Sequence, residues 1–278
     1  GVATLRPTEG AERVWRLLAG RSGDGGSWRL SFNTWCYVAA VGVTIGWFGV
    51  YHYFGRGQLV DEPGHMAAIQ HFLAGQAGWP MGMPMLPGYH FAVVSLSTLQ
   101  GSMELLTLAR LVTTGIWLLG LAAFALGWRR LHGQPAGAAT LLLAVMPLVQ
   151  PFAGMAYTDA PALALVLVAA WAQGRGSRAL AAAVLAGAVA VRQTNLVFVG
   201  MFLAWEFLRP DLGRETWLRR SAWLLALGAS AAVVVLWAGR LTLGEHHGNE
   251  FRFNFAVVHF AALLALILGL PLWIAGLP

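Results

Sequence analysis

The chain has 278 residues, of which 58% are hydrophobic and only 11% are charged, with a formal net charge of +6 at pH 7. This composition and a mean hydropathy of +0.63 exclude an ordinary soluble domain, because several apolar runs reach the ~20 residues that cross a bilayer. All 18 basic residues are arginines, and most of them lie in the N-terminal segment or in short gaps between apolar runs, which indicates membrane topology rather than nucleic-acid binding. The sequence therefore predicts an all-α polytopic membrane protein embedded in the lipid bilayer, with no nucleic-acid partner.

The chain begins with a polar, Gly/Arg-rich segment, residues 1–30, which we predict to be a cytoplasmic leader. An apolar run from about Phe32 to Phe54 predicts the first span and contains Cys36, the single cysteine. One cysteine excludes an internal disulfide and a cysteine-based metal site. The remainder, 31–278, is predicted to form a transmembrane domain of about eight spans, with residues 55–103 as its first outer loop.

The first outer loop carries ionisable groups beside an apolar span, and such groups are functional candidates because burying them is costly. Asp61 and Glu62 precede Pro63, which favours a helix start here with either carboxylate capping the free N–H groups. Spacings of three and four residues allow both carboxylates and His65 to face one point. The simpler alternative is an acidic helix N-terminus that complements the helix dipole.

The helix that follows is predicted to lie in the membrane interface. Met66, Ile69 and Leu73 line one side of this helix, whereas Gln70 projects elsewhere. A second short interfacial helix is predicted over Pro87–Leu99.

Three further apolar stretches predict the next spans, at Leu105–Trp128, Ala136–Met155 and Pro161–Gln173. Pro147 and Pro151 lie in the second of these stretches, so we expect its outer end to be kinked or unwound. The residues Tyr157-Thr158-Asp159 predict a tight turn before the third stretch.

The stretch 178–208 is apolar except for Arg192-Gln193-Thr194-Asn195 in its middle. One straight helix would place Arg192 at the bilayer centre, which is expensive. A hairpin of two short spans that turns at Arg192–Asn195 avoids this cost. Each arm would be about 21 Å long at ~1.5 Å per residue, against a hydrocarbon core of about 30 Å, so the turn would lie in a cavity below the outer surface.

Two more spans are predicted at Ser221–Gly239 and Phe255–Leu277, joined by a polar loop that contains Glu245, His246, His247 and Arg252. With this topology, 13 of the 18 arginines fall on the side of the N-terminus. The positive-inside rule makes that side cytoplasmic. The carboxylates of the first outer loop and most histidines then lie on the non-cytoplasmic face.

The polar residues of that face suit one kind of chemistry. A carboxylate such as Asp61 can take the proton of an alcohol while that alcohol attacks. Arg192 can hold a phosphate bidentately, and the amides of Gln193 and Asn195 can fix a hydroxylated ligand. Together these groups favour transfer from a lipid-anchored phosphate to an alcohol at the membrane surface. Glu62, one residue from Asp61, is the competing base.

Two alternatives stay open at this point. Arg192 could be a structural partner of Asp159 in place of a phosphate ligand. The same ion pair would also serve a membrane transporter, although a transporter predicts charges near the midplane and repeated halves, and no internal repeat is visible in the sequence.

The order of several motifs resembles a known family. These motifs are Asp61-Glu62-x-x-His65 with Gln70, then Trp79, Pro87-Gly88-Tyr89, Tyr157-Thr158-Asp159 and Arg192-Gln193-Thr194-Asn195. Over roughly Asp61 to Phe207, the chain is similar to the endoplasmic-reticulum α-1,2-glucosyltransferases that add the terminal glucose to the lipid-linked N-glycan precursor. The Tyr-Thr-Asp turn and the Arg-Gln-Thr-Asn tetrad are the specific parts of this resemblance.

The resemblance implies a GT-C-like transmembrane helix bundle with a polyprenyl-phosphate or dolichyl-phosphate sugar as donor and inversion at the sugar carbon. We expect no cofactor, because the lipid-linked sugar is a substrate, and we assign no metal ligand. It also implies a carboxylate of the first outer loop as the base. We expect Asp61, at the helix N-terminus, to be this base, with Glu62 and His65 as the other catalytic residues that shape its surroundings. The implied donor or phosphate ligands are Arg192, Gln193, Asn195, Tyr157 and Asp159. Further contacts to the acceptor or phosphate are implied for Gln70, Trp79, Tyr89, His246, His247 and Arg252.

The chain departs from the family pattern in two places. It has Trp79-Pro80 where the family has Trp-Asp-Pro, and it matches the family's later histidine-bearing loop only loosely, through Glu245-His246-His247. The absence of lysine indicates a GC-rich prokaryote. We therefore expect an enzyme of the bacterial plasma membrane rather than the endoplasmic reticulum, with a lipid-linked or surface glycan as acceptor.

Overall fold

A computed structural model describes residues 31–55, 57–59, 61–76, 80, 85–99, 101–207 and 220–229. All of them belong to one compact unit, residues 1–246. The predicted leader, the later polar loop and the last predicted span lie outside the described residues. Within the described part the chain forms helices and loops and no strand, which confirms the all-α prediction for that part.

Eight α-helices follow one another in the described part: α1 (Phe32–Tyr53), α2 (Glu62–Leu73), α3 (Gly88–Ser97), α4 (Leu105–His132), α5 (Gly137–Ala144), α6 (Asp159–Gly174), α7 (Arg178–Val191) and α8 (Leu196–Phe207). Short 3₁₀ helices cover Gln150–Gly154 and Gln193–Asn195, and residues 220–229 are again helical. The helices α1 and α4 begin at the predicted residues, and α4 extends one turn beyond its predicted end.

The helices α1 and α4 are each long and apolar enough to cross a membrane, whereas α6 and α7 are apolar but shorter. Only 28% of the apolar stretch of α1 and 33% of that of α4 are buried within the protein. Exposed apolar surface of this extent is unfavourable in water, and contact with lipid removes that cost. These two helices therefore support an integral membrane protein, while the count of eight spans and the GT-C-like layout stay predictions.

The third predicted span is interrupted, as its two prolines predict. The helix α5 ends at Ala144, before Pro147. The chain then enters the 3₁₀ helix Gln150–Gly154, which carries Pro151 in its first turn. A proline cannot donate a backbone hydrogen bond and its ring collides with the preceding turn, so a continuous α-helix cannot form there.

The helix α4 packs most extensively on α6, and α6 packs in turn on α7. Gly120 allows the close approach of α4 and α6, because a Cβ atom at this position would lie 2.6 Å from the Cβ of Ala164. Small residues at such crossings let helix backbones come together and gain van der Waals contact. The helix α6 therefore packs on both α4 and α7.

The chain reverses direction at Arg192–Asn195, as predicted. Arg178, at the start of α7, lies 3.6 Å from Glu206, near the end of α8. This contact requires α7 and α8 to run in opposite directions. The hairpin is therefore confirmed as a feature of the fold, and Arg192 lies at its closed end.

The helices α2 and α3 pack against each other and, with α4, share an apolar core. Met66 and Ile69 are buried in this core, and Gln70 is exposed. Leu73, the third residue of the predicted apolar side, is 44% exposed and does not join the core. Leu73 is the last residue of α2, where the helix has passed the apolar core.

A buried ion pair joins α2 to α4. Glu62 is fully buried and only 2% of Arg110 is exposed. The guanidinium Nε and Nη2 donate to the two carboxylate oxygens of Glu62 at 2.9 and 2.7 Å. The remaining donors reach the backbone carbonyls of Tyr51, Gly55 and Gly57 at 2.8, 2.9 and 3.0 Å. All five N–H groups of the guanidinium are thereby used.

The carboxylate of Glu62 is equally well satisfied, because it also accepts the backbone N–H groups of Leu59 at 2.8 Å and Ala156 at 2.7 Å. Burial by itself raises the pKa of Glu62, but the bonds from Arg110, Ala156 and Leu59 outweigh this effect and hold the pKa below its usual value. The predicted capping role is wrong for both carboxylates. Asp61 makes no side-chain cap to α2, and the attraction of Arg110 draws Glu62 inward.

We predict that Glu62→Gln lowers the free energy of unfolding by about 3–5 kcal/mol, the usual cost of removing one partner of a buried ion pair. The amide cannot neutralise Arg110, and its NH₂ group would face donors. Thermal unfolding of the detergent-solubilised protein measures this change. The control is Glu104→Gln, because Glu104 is exposed before α4 and its side chain caps nothing. Equal Tm values for the two variants would contradict a structural role of the pair.

Candidate active site

Four of the polar residues singled out in the sequence come together near the N-terminus of α2: Asp61, Tyr157, Asp159 and Arg192. Asp61 immediately precedes this helix and its side chain is exposed. The carboxylate oxygen Oδ2 accepts a hydrogen bond from the hydroxyl of Tyr157 at 2.8 Å. The chain separates these two residues by 96 positions, and the loop before α6 brings them together. Within the described part of the chain, Oδ1 of Asp61 has no hydrogen-bond partner.

Two aromatic rings hold Tyr157 in this position. Its ring stacks on Phe152 with centroids 4.7 Å apart and meets the ring of His65 edge-on at 5.3 Å. Burial, followed by the hydrogen bond and the charge of Asp61, raises the pKa of Tyr157 to about 12. The phenol therefore keeps its proton at neutral pH and donates it to Asp61, which restrains the orientation of that carboxylate.

His65 lies one helical turn after Asp61 and contacts His90 of α3, with Nδ1 of His65 3.0 Å from Nε2 of His90. Burial lowers the pKa of His65 to about 4 and that of His90 to about 3. Both rings are neutral at pH 7, so one of the two nitrogens donates and the other accepts. His65 thus packs against Tyr157, whereas Glu62 turns inward, so the expectation that Asp61, Glu62 and His65 face one point is wrong for Glu62.

Asp159, two residues after Tyr157, begins α6 and forms an ion pair with Arg192. The exposed fractions of Arg192 and Asp159 are 36% and 38%, so the pair is open to the surroundings. The positive charge of Arg192 acts on both Tyr157 and His65, which places the guanidinium at the same site as Asp61. We refer to Asp61, Tyr157, Asp159 and Arg192 as the Asp61–Arg192 cluster.

The ion pair leaves much of the guanidinium available. Arg192 donates to Asp159 through Nη1 alone, so Nε and Nη2 make no hydrogen bond to the described part of the chain. Arg192 itself lies between α7 and the 3₁₀ turn in an extended conformation, with φ −151° and ψ 111°. A guanidinium with unused donors in an open position can bind an oxyanion in fork geometry.

Gln193 and Asn195 have a different environment, because both are buried, with exposed fractions of 6% and 7%. The side-chain oxygen of Gln193 accepts the backbone N–H of Leu86 at 3.2 Å. The amide of Asn195 donates to the carbonyl of Ala188 at 2.9 Å. These bonds brace the turn that carries Arg192. The predicted contacts of both amides with a donor stay predictions.

Two of the residues predicted to make further ligand contacts, Gln70 and Tyr89, are described, and neither joins the Asp61–Arg192 cluster. Tyr89 is fully buried, and its hydroxyl lies 3.0 Å from both the carbonyl of Ala109 and the hydroxyl of Thr113, which favours a packing role over the predicted ligand contact. Gln70 is exposed on α2. Four predicted contact residues lie outside the described residues: Trp79, His246, His247 and Arg252.

Arg110 is the residue that the sequence analysis missed. It lies inside the predicted span Leu105–Trp128, and a charge within an apolar span requires a partner. The same rule had singled out Asp61 and Glu62, so it could also have predicted a pair between Arg110 and one of these carboxylates. In such a pair one carboxylate is bound to Arg110 and has a structural role, and the other carboxylate stays available for a ligand.

Chemically, the described residues offer a carboxylate that can accept a proton and, beyond Tyr157, a guanidinium that can bind an oxyanion. No group of three His, Cys, Asp or Glu side chains that could hold a metal ion occurs within the described ranges. The two charged ends of the Asp61–Arg192 cluster thus suit two halves of one ligand complex, an alcohol at Asp61 and a phosphate at Arg192.

Comparison with known proteins identifies a family for the chain. The model of the DIE2/ALG10 family matches residues 56–221, which is more than half of the 278 residues. The match includes the whole Asp61–Arg192 cluster and confirms the resemblance seen in the sequence motifs. No curated protein and no solved structure matches the chain.

We predict that stability falls as the pH is lowered from about 6.5 to 5, because the unfolded chain binds protons on histidine in this range. His65 and His90 remain neutral in the folded protein until the pH approaches about 4 and about 3. Each histidine contributes a slope of up to about 1.4 kcal/mol per pH unit. Thermal unfolding across this range measures the effect, and His90→Gln should flatten it.

The matched control for this measurement is His132→Gln, which changes an exposed histidine at the end of α4. We expect this variant to keep the pH dependence of the unaltered protein. The pH range stops at 5 because the stabilising effect of the ionised Glu62 is lost at lower pH, as its pKa is depressed in the folded state. An unchanged slope in His90→Gln would contradict the assignment to the histidine pair.

Proposed function

The chain belongs to the DIE2/ALG10 family, the endoplasmic-reticulum α-1,2-glucosyltransferases, and on this basis we propose that it moves a hexose such as glucose from a polyprenyl phosphate to a hydroxyl group of a lipid-linked or surface glycan. Membership in this family implies a glycosyltransferase of glycan precursor assembly. The lipid carrier, the acceptor and the inversion at the sugar carbon are our proposal.

The observation that carries the proposal is the convergence of Asp61 and Arg192 through Tyr157 and Asp159. These residues come from the first loop, the loop before α6 and the turn of the hairpin. Their approach combines a base with an oxyanion-binding group, which are the two functions that sugar transfer from a phosphate requires.

In the proposed reaction Arg192 binds the phosphate of the donor through its unused Nε and Nη2 donors. Asp61 takes the proton of the acceptor hydroxyl, which lies within about 2.6–3.2 Å of the carboxylate in the reactive complex. The acceptor oxygen forms a bond to the anomeric carbon from the side opposite the phosphate. The bond from that carbon to the phosphate oxygen breaks, and the polyprenyl phosphate leaves with the electron pair and its added negative charge beside Arg192.

The environments of the two neighbouring carboxylates favour Asp61 as the base. Both oxygens of Glu62 are occupied by Arg110 and backbone N–H groups, and the residue is fully buried. Asp61 is exposed and has a free oxygen within the described part of the chain. A base needs access to its substrate, so we assign Glu62 a structural role and Asp61 the catalytic one.

The proposed location follows from the distribution of arginines. Thirteen of the 18 arginines fall on one side in the predicted topology, and the positive-inside rule makes that side cytoplasmic. We propose that the enzyme lies in a bacterial plasma membrane and that the Asp61–Arg192 cluster opens to the non-cytoplasmic face. The glycan acceptor and the lipid-linked donor would meet there.

The ion pair between Arg192 and Asp159 favours a second candidate, a transporter that uses this pair within the membrane. A transporter would require the pair to separate during its cycle. More than a third of each residue is exposed, and both neighbour the free carboxylate of Asp61. A charge pair beside an exposed base, in a chain of a glycosyltransferase family, supports the transferase over the transporter.

We predict that Asp61→Asn lowers the single-turnover rate on the order of 10²–10⁴-fold with saturating donor, because the base acts in the chemical step. Donor affinity should stay close to that of the unaltered protein. Turnover of defined polyprenyl-phosphate sugars in liposomes provides the assay. Glu62→Gln is the comparison, and its rate is expressed per folded molecule, because we expect this variant to lose stability. If Asp61→Asn kept a single-turnover rate near that of the unaltered protein, and Glu62→Gln were folded but inactive, Glu62 would be the general base.

We predict that Arg192→Lys weakens donor binding while the fold survives, because lysine keeps the charge and loses the two-pronged geometry that holds a phosphate. Equilibrium binding of the polyprenyl-phosphate sugar to purified protein measures the loss. The structural alternative makes the opposite prediction. If Arg192 only supports Asp159, then Arg192→Ala and Asp159→Ala would lower Tm to the same extent. The molecules of each variant that remain folded would then bind the donor as the unaltered protein does.

A further inference from the structure

A second polar site lies at the open end of the α7–α8 hairpin, opposite to the turn that carries Arg192. A cavity of about 530 Å³ opens between the turn before α7 and the helical segment 220–229. Its lining residues are Gly176, Ser177, Arg178, Ala179, Leu180, Arg220 and Trp223. This volume falls within the range of about 300–1,000 Å³ that is typical of ligand pockets.

The charge in this cavity is positive and only partly compensated. Arg178 and Arg220 both line the cavity. Arg178 lies 3.6 Å from Glu206, a separation longer than a hydrogen bond, and its Nε has no hydrogen-bond partner in the described structure. Glu206 is itself buried and accepts a hydrogen bond from Gln173. Within the described part of the chain Arg220 makes no ion pair, so among the described residues the cavity carries more positive than negative charge.

The surroundings of the cavity add positive charge and apolar surface. Three further arginines lie at the same ends of α4 and α6, at Arg129, Arg130 and Arg175. The contact between Nε of Arg130 and the carbonyl of Gly174 joins these two helix ends. Two large apolar side chains on the cavity wall face outward, because 60% of Trp223 and 48% of Leu180 are exposed.

The combination of guanidinium groups with exposed apolar side chains selects among anions. Two arginines fit the oxygens of a phosphate group. A small soluble phosphate would gain nothing from Trp223 and Leu180. A phospholipid presents its phosphate and its acyl chains together at the membrane interface, where tryptophan is also favoured.

We propose that this cavity, lined by Arg178, Arg220, Ser177 and Trp223, binds the head group of an anionic phospholipid. The lipid phosphate completes the charge balance of the two arginines, and the first part of its acyl chains lies against Trp223 and Leu180. The lipid thereby joins α7 to the segment 220–229 at the end of the hairpin opposite Arg192. This site is separate from the Asp61–Arg192 cluster and does not depend on the reaction proposed for that cluster.

The experiment titrates the purified full chain in detergent with short-chain phosphatidylglycerol and measures Tm. A ligand that binds only the native state raises Tm with concentration. We expect this rise for phosphatidylglycerol, and a much smaller one for phosphatidylcholine of the same chain length or for inorganic phosphate. An equal rise with inorganic phosphate would assign the cavity to a soluble anion, and an equal rise with phosphatidylcholine would show a general lipid effect. Either outcome would overturn the proposal.

The informative variant is Arg220→Gln, because the Arg220 side chain makes no hydrogen bond or ion pair to the described residues that the change would break. Loss of one charge-assisted contact to a phosphate should weaken phosphatidylglycerol binding about tenfold to a hundredfold. The matched control is Arg175→Gln, an arginine at the same end that lies over the Trp171 ring and does not line the cavity. This control should bind the lipid as the unaltered protein does.

Arg178 is unsuitable for this test, since its removal would also leave Glu206 without its cation. If Arg220→Gln unfolds before lipid is added, Arg220→Lys decides the question. Lysine keeps the charge and loses the fork, so the lipid affinity should be intermediate. Unchanged affinity in both Arg220 variants would refute the site. None of these measurements uses sugar transfer, so their failure and the failure of the proposed function are distinguishable.

Discussion

The buried pair of Glu62 and Arg110 determines how the loops of this protein meet. Arg110 of α4 holds the carbonyl groups at the end of α1 and in the loop beyond it, while Glu62 holds the backbone N–H of Ala156. The residue before Glu62 is Asp61 and the residue after Ala156 is Tyr157, so the pair sets these two segments side by side. The hydrogen bond between Asp61 and Tyr157 follows from that register. A buried charge pair survives here because nearly every donor and acceptor is satisfied.

Two adjacent carboxylates with opposite environments have different roles at this site. Glu62 is buried, ionised and fully bonded, and its role is to position backbone segments. Asp61 is exposed and bonded at one oxygen, so it is available for a ligand. The neutral pair of His65 and His90 lies beneath them and adds no positive charge that would compete with Arg192 for an anion. The proposed function needs a phosphate-binding group at Arg192 and an unoccupied proton acceptor at Asp61. Both benefit from this separation of the two carboxylates.

The α7–α8 hairpin carries a cation at each end. Arg192 lies at the closed end beside Asp159, and Arg178 lies at the open end beside Glu206. The closed end is braced by buried amides, since Gln193 binds Leu86 and Asn195 binds Ala188. The open end is less completely bonded, because Arg178 and Glu206 each keep a buried polar atom without a hydrogen-bond partner in the described structure. The rigid end is the one that belongs to the candidate active site, where a precise geometry matters most.

Sequence alone determined the features that depend on local chemistry: the apolar helices α1 and α4, the break that the prolines impose after α5 and the reversal at Arg192–Asn195. These follow from apolar runs, proline stereochemistry and the cost of a charge in lipid. The family followed from the order of the sequence motifs. Only the tertiary structure decided which carboxylate is free, because Asp61 and Glu62 are equivalent by composition and spacing. The difference arises from Arg110, which lies 48 residues from Glu62 and draws one of the two side chains inward. The rule that a charge in an apolar span needs a partner points to both carboxylates alike. The choice between them depends on how α2 lies relative to α4.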